Sequence, residues 1–227
     1  MESKRDTQHS AYISNGLLIE PVWNRNELKI TTKTVSIGHP IVMSRFKCAI
    51  EKVSDWHPHL FLEVHIVACV AVMRSHSASP AVFEVTCENI VSEWLGEETQ
   101  FTLEVSWSTE TERKAERLRA TIQTRPIVEM AAAALVFILT PNIVHLGQLD
   151  VTNYGDRADY RSLDIQSVLE INGTETISEL GRRHREKVAQ ALENPFGLDA
   201  YVVVCAFSTF GHLIRFSYHR WLEGIHA

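Results

Sequence analysis

The sequence predicts a mixed α/β fold, and three stretches in its second half carry that prediction. Residues 126–140 place apolar side chains at helical spacing, which predicts an amphipathic helix. Residues 165–171 alternate well enough to predict a strand. Residues 201–207, YVVVCAF, are almost continuously apolar, as expected of a strand that is covered on both faces. We therefore expect an α/β domain over residues 111–227.

The first half of the chain predicts a β-rich region of unknown role, residues 13–110, after a polar tail at residues 1–12. Strands are predicted at residues 17–19, 27–30, 60–67, 82–88 and 101–107. Residues 41–53 instead favour a helix, because Phe46, Ala49, Ile50 and Val53 recur at helical spacing. The charged stretch at residues 108–119 marks the predicted boundary between the two halves.

The second half predicts the order helix, three strands, helix, strand. The predicted bounds are residues 126–140, 145–152, 157–161, 165–171, 176–193 and 200–207. Thr176 and Glu179 form a capping-box pattern, which predicts the start of the second helix. That helix should end before Pro195, since the residue preceding a proline is displaced from helical geometry.

Composition bounds the class of protein. The 227 residues are 45% hydrophobic and 22% charged, as in an ordinary globular protein. The net charge of −6 argues against a protein that coats nucleic acids, but it does not exclude a nuclease, whose metal site needs carboxylates. Four cysteines, at 48, 69, 87 and 205, have no metal-binding spacing and predict reduced, buried thiols of a cytoplasmic protein. Residues 127–144 predict a buried helix rather than a membrane span.

Several catalytic motifs are missing from the sequence. It contains no glycine-rich phosphate loop, no GxSxG elbow and no HExxH, so P-loop, hydrolase-elbow and zincin chemistry have no support. Four histidines lie close in sequence, and a zinc site is one interpretation of them. Histidines in loops and on surfaces account for the same pattern. They are His57, His59, His65 and His76.

Acidic and polar residues in the second half are the candidates for a site. Asp159 and Glu170 lie on two strands that can pair as a hairpin, and a carboxylate inside an apolar strand needs a partner. Arg183, Lys187 and Gln190 share one face of the following helix. A salt bridge from Lys187 or Arg183 to Glu170, and a turn at Asp159, are the structural alternatives.

This pattern resembles the PD-(D/E)xK nuclease superfamily, the restriction-endonuclease-like fold, whose core is αβββαβ. The resemblance covers roughly the last hundred residues. Asp159 matches the motif aspartate and Glu170 its second acidic residue, while Asn172 stands where the family has lysine. Some members carry the basic residue on the next helix, where Lys187 lies.

The resemblance implies Mg²⁺ or Mn²⁺ as cofactor and Asp159, Glu170 and Glu129 as metal ligands. Lys187 and Gln190 would then position the attacking water or the phosphate. For Glu129 the alternative is a favourable contact with the positive end of its helix. The basic run at residues 182–187 either lines a DNA groove or is a solvated helix face.

Three functions follow as hypotheses. The first is a metal-dependent endonuclease acting on DNA in a bacterial restriction-like or defence role. The second is an inactive module of the same fold that serves as a protein-interaction subunit, which Asn172 favours. The third, weaker one is a small-molecule sensor. The N-terminal region could bind DNA, form a homodimer or bind a partner protein.

Overall fold

One mixed eight-stranded sheet organises the fold. The computed structural model describes residues 44–96, 98–146, 148–153 and 155–222, together with three short N-terminal strands. Those three, β1 to β3, form a separate sheet and are Tyr12–Ser14, Leu17–Ile19 and Lys33–Thr34. The large sheet has the order β4-β6-β5-β11-β10-β9-β8-β7. Its strands are β4 Ser44–Ala49, β5 Ala81–Glu88, β6 Gln100–Ser106, β7 Leu149–Val151, β8 Tyr160–Ser162, β9 Ser167–Thr174, β10 Asp199–Ser208 and β11 Gly211–His219.

Helices cover both faces of this sheet. Within the described chain they are α1 Val53–Trp56, α2 Glu63–Met73, α3 Thr109–Arg119, α4 Thr124–Ile143 and α5 Leu180–Leu192. Neighbouring residues of β9 belong to different cores, since Leu169 lies in the large core with α4 whereas Val168 lies in a smaller core with Ala191 of α5. Because side chains alternate across a strand, α4 and α5 lie on opposite faces.

Most of the elements predicted for the second half are confirmed. The helix predicted at 126–140 is α4, the helix at 176–193 is a 3-10 turn followed by α5, and the strand at 200–207 is β10. The hairpin strands are β8 and β9, which pair antiparallel, and β9 continues parallel to β10. The chain is therefore mixed α/β, as predicted.

Two predictions for the first half were wrong. The strand predicted at 60–67 is the start of α2, whose residues from Ile66 to Met73 are all buried. An all-apolar helix shows no helical periodicity, so its sequence resembles a buried strand. Within the described part of the helix predicted at 41–53, residues 44–53 form β4 followed by helical turns, and Phe46 and Cys48 alternate with exposed neighbours. The predicted strand at 27–30 and the predicted tail lie outside the described residues.

Strand β11, which the sequence analysis missed, joins the two halves of the chain. It pairs antiparallel with β10 and parallel with β5. Strands on both sides of the predicted boundary therefore belong to one continuous sheet. The charged stretch at the boundary forms α3, and Ser108 caps this helix by accepting a hydrogen bond from the backbone N–H of Thr111 at 3.2 Å.

Helix α4 is the one described helix that is long and apolar enough to cross a membrane. Its residues from Ala131 to Thr140 are all buried within the fold. It packs on α2 and on the sheet as a core helix, which is the interpretation that its sequence favours. Pro141 lies in its last turn.

Candidate active site

Glu170 is a carboxylate buried in the middle of strand β9, with a relative exposure of 1%. Its Oε1 oxygen accepts hydrogen bonds from the ammonium group of Lys187 and, at 3.0 Å, from the side-chain amide of Gln190. Lys187 also donates to Gln190 Oε1 at 3.0 Å, which closes a triangle of polar groups. The second oxygen, Glu170 Oε2, is buried and has no hydrogen-bond partner.

One face of α5 supplies the partners of the polar residues on β9. Lys187 and Gln190 reach Glu170, and one turn earlier Arg183 donates to Asn172 Oδ1 at 3.4 Å. Spacings of four and three residues bring these helix side chains into one row. The predicted shared face of α5 is thus present, and it lies against β9.

Two backbone contacts hold Asp159 beside Glu170. The backbone N–H of Asp159 donates to the carbonyl of Leu169 at 3.1 Å. Its carboxylate Oδ2 accepts from the backbone N–H of Ile171 at 2.7 Å. Leu169 and Ile171 flank Glu170 in β9, so the two predicted carboxylates come together although eleven positions separate them in sequence.

Burial raises the pKa values of both carboxylates. The pKa of Glu170 rises from 4.5 to about 7, chiefly through burial and further through the charge of Asp159, against the opposing effect of Lys187 and Gln190. Although Asp159 keeps contact with solvent, desolvation of its carboxylate raises its pKa as well. A raised pKa means that each negative charge is poorly compensated, so the pair favours an added proton or cation.

Glu129 lies on α4 at the edge of this group. It is exposed and forms an ion pair with Arg125 at 3.4 Å, and its charge contributes to the raised pKa of Asp159. Gly173 sets this approach, because a Cβ at that position would lie 2.4 Å from the backbone oxygen of Val128. Glycine thereby lets α4 pack directly on β9, with Glu129 one residue beyond the contact.

The start of α5 differs from the predicted capping box. Thr176 makes no side-chain capping hydrogen bond. The hydroxyl of Thr174 accepts from the backbone N–H of Thr176 at 3.2 Å and lies 3.4 Å from Glu179 Oε2. The turn is therefore closed by the threonine at the end of β9.

The basic run at 182–187 is largely neutralised. Arg182 pairs with Glu186 at 2.6 Å, and Arg183 pairs with Glu179 at 2.6 Å. His184 is buried, and its Nε2 atom lies 2.7 Å from the hydroxyl oxygen of Ser217. Burial lowers its pKa to about 4, so it carries no charge near neutral pH. This run does not form an open basic groove.

The clustered histidines contact backbone carbonyls and aromatic rings. His57 Nε2 lies 3.0 Å from the carbonyl of Phe137, and His59 Nε2 lies 3.2 Å from the carbonyl of Leu149. His65 packs on the ring of Phe137, and His76 lies beside His212. Across the described ranges, no three His, Cys, Asp or Glu side chains gather in a metal-binding group. Of the predicted metal ligands, the structure brings Asp159 and Glu170 together.

Asn194 has a role that sequence analysis missed. Its buried side chain donates to the carbonyls of Ala191 and Leu198 at 2.8 Å and accepts from the backbone N–H groups of Phe196 and Leu198 at 3.2 Å. These four bonds fix the loop between α5 and β10. In the sequence, the asparagine before Pro195 indicated where the helix ends, but it did not indicate that its side chain fixes the following loop.

The chain was compared with protein-family models, with curated proteins and with solved structures. None of the three comparisons finds a match.

Proposed function

We propose that the protein is a metal-dependent nuclease that hydrolyses phosphodiester bonds in DNA. The observation that carries the proposal is the unpartnered buried oxygen of Glu170 beside the carboxylate of Asp159. Leaving a buried carboxylate oxygen unpaired is costly. Such a cost is typical of a ligand atom kept available for a cation.

The residues present fit Mg²⁺ or Mn²⁺. Magnesium in phosphoryl-transfer enzymes is commonly bound through one or two carboxylates, with waters and substrate phosphates completing its shell. Asp159 and Glu170 would supply those carboxylates, with Glu129 further out. When bound, the ion supplies an activated water and stabilises charge on the phosphate.

Lys187 and Gln190 have a positioning role in this proposal. Both bind Oε1 of Glu170, which leaves Oε2 as the free ligand atom. Lys187 keeps about a quarter of its side chain exposed and is therefore also accessible to a substrate phosphate. The order α4, β7, β8, β9, α5, β10 supports the resemblance to the nuclease core.

A cleavage assay tests the proposal. The protein should nick or cut supercoiled plasmid DNA with Mg²⁺ or Mn²⁺ but not with EDTA. Glu170→Gln should abolish cleavage while the variant stays folded by circular dichroism. Arg185→Met is a matched control, because Arg185 is exposed on the same helix and makes no ion pair among the described residues. Equal cleavage by the wild type and Glu170→Gln would refute the proposed site.

The second candidate is an inactive module that binds a partner protein. Its support is the ion pair between Lys187 and Glu170, together with Asn172 at the motif lysine position, where its side chain accepts from Arg183. In that case neither metal would raise the melting temperature, and no nucleic acid would be cut. The nuclease proposal also includes a cytoplasmic location and a restriction-like or defence role.

A further inference from the structure

Arg161 is an arginine without a counter-charge, two residues after Asp159. It lies on β8 opposite Val168, in the small core beneath α5. The other partly buried arginines and lysines of the described chain, Arg183, Lys187 and Arg215, each pair with a carboxylate. Arg161 forms no ion pair with any described residue, and its buried Nε has no hydrogen-bond partner.

A fixed aromatic ring supports this guanidinium. The Cζ atom of Arg161 lies 5.1 Å from the centre of the Phe196 ring. Phe196 is held in place because its backbone N–H donates to the buried Asn194. A guanidinium stacks on a ring through its face, so the N–H groups along its edge remain available for hydrogen bonds. Their geometry matches the oxygens of a phosphate.

The alternative partner is Asp150, which faces Arg161 across the pairing of β7 and β8. Residues paired in this way have neighbouring side chains. Asp150 is exposed, and no ion pair joins it to Arg161. The structure thus keeps Arg161 stacked on Phe196 rather than turned towards the nearest carboxylate.

We propose that Arg161, stacked on Phe196, binds a backbone phosphate of the nucleic acid next to the one that is cut. The inference rests on the proposed nuclease function and adds a substrate-binding residue to the same site. Two peptide units separate Arg161 from Asp159, so their Cα atoms lie at most about 7–8 Å apart. Arg161 is therefore a near neighbour of the carboxylate pair along β8, and it is not one of the proposed metal ligands.

Binding of a fluorescein-labelled DNA duplex, followed by anisotropy with Ca²⁺ in place of Mg²⁺, tests the inference on the full chain. Arg161→Met should weaken binding by about tenfold or more, the range for a hydrogen bond to a charged group. The negative slope of log affinity against log salt should become shallower by about 0.9, the value for one lost phosphate contact on a duplex. Arg161→Lys should keep the slope and lose part of the affinity.

Arg185→Met is the matched control, since it removes an exposed arginine from the neighbouring helix; it should change affinity less than Arg161→Met. Equal affinities and slopes for Arg161→Met and Arg185→Met would overturn the inference. So would a loss of thermal stability in Asp150→Asn that equals the loss in Arg161→Met, since that would identify Asp150 as the partner.

The two proposals fail separately. If the wild type cuts DNA and Arg161→Met keeps its KM and salt slope, only the inference about Arg161 falls. If the wild type shows neither cleavage nor a metal-dependent melting shift, the nuclease proposal falls first. Should Arg161→Met misfold, Arg161→Lys and Phe196→Leu give the same comparison, and unchanged binding in both would overturn the inference.

Discussion

Replacing Glu170 by glutamine should stabilise the protein at high pH, although it removes the central residue of the site. The pKa of Glu170 is raised from 4.5 to about 7 in the folded chain. Between these two values the folded state binds more protons than the unfolded state. Stability of the wild type therefore falls as pH rises through this window, and the loss is complete above about pH 7.

The difference between the two pKa values corresponds to about 3 kcal/mol. Glutamine carries no charge at any pH, so it removes this penalty. The pKa of about 7 already includes the opposing effect of Lys187, so the lost ion pair needs no separate correction. We expect Glu170→Gln to be more stable by about 3 kcal/mol at pH 8, and no more stable than the wild type below pH 4.5.

For a chain of this size, about 3 kcal/mol corresponds to about 6–12 °C in melting temperature. Differential scanning calorimetry of both proteins at pH 8 and pH 4.5 measures the difference, and other titrating groups cancel in the comparison. A Glu170→Gln variant that melts below the wild type at pH 8, or an equal gap at both pH values, would refute the reasoning. Added Mg²⁺ should raise the melting temperature of the wild type at pH 8 and not that of the variant.

Three further outcomes are expected. In the Glu170→Gln background, urea unfolding should give a stability that decreases as pH falls from 6.5 to 4, because the pKa values of His184 and His212 are both lowered to about 4 and their unfolded forms take up protons first; adding His184→Gln should remove part of that decrease. Gly173→Ala should lower stability by about 1–3 kcal/mol through its clash with α4, whereas the control Gly181→Ala, with no atom nearer than 3.7 Å, should not, as calorimetry would show. Lys187→Arg should lower the rate of DNA cleavage by about 10²-fold if the ammonium positions a reacting group, and full activity would reduce Lys187 to an ion-pair partner.

The contact between Glu170 and α5 was predictable because its causes are local. A carboxylate within an apolar strand requires a partner, and helical spacing places Lys187 and Gln190 on one face. The structure confirms that contact. The same reasoning did not distinguish a salt bridge from a ligand site, because that depends on the second oxygen of Glu170, which sequence spacing does not describe.

Predictions for the first half failed where burial removes periodicity. Helix α2 is buried from Ile66 to Met73 and packs against α3 and α4. Its sequence therefore carries no exposed face to mark a helix. The basic run at 182–187 was interpreted as an exposed face or a groove lining, whereas its His184 is buried in the core.

The sequence by itself determined the order of helices and strands from α4 to β10, the carboxylates and the helix face that meets them. These depend on alternation and spacing, which act over a few residues. Only the tertiary structure decided that β11 joins both halves into one sheet, that Asp159 is held between the neighbours of Glu170, and that Arg161 lacks a counter-charge. Each of these depends on contacts between residues far apart in the chain, and therefore on how the whole sheet is assembled.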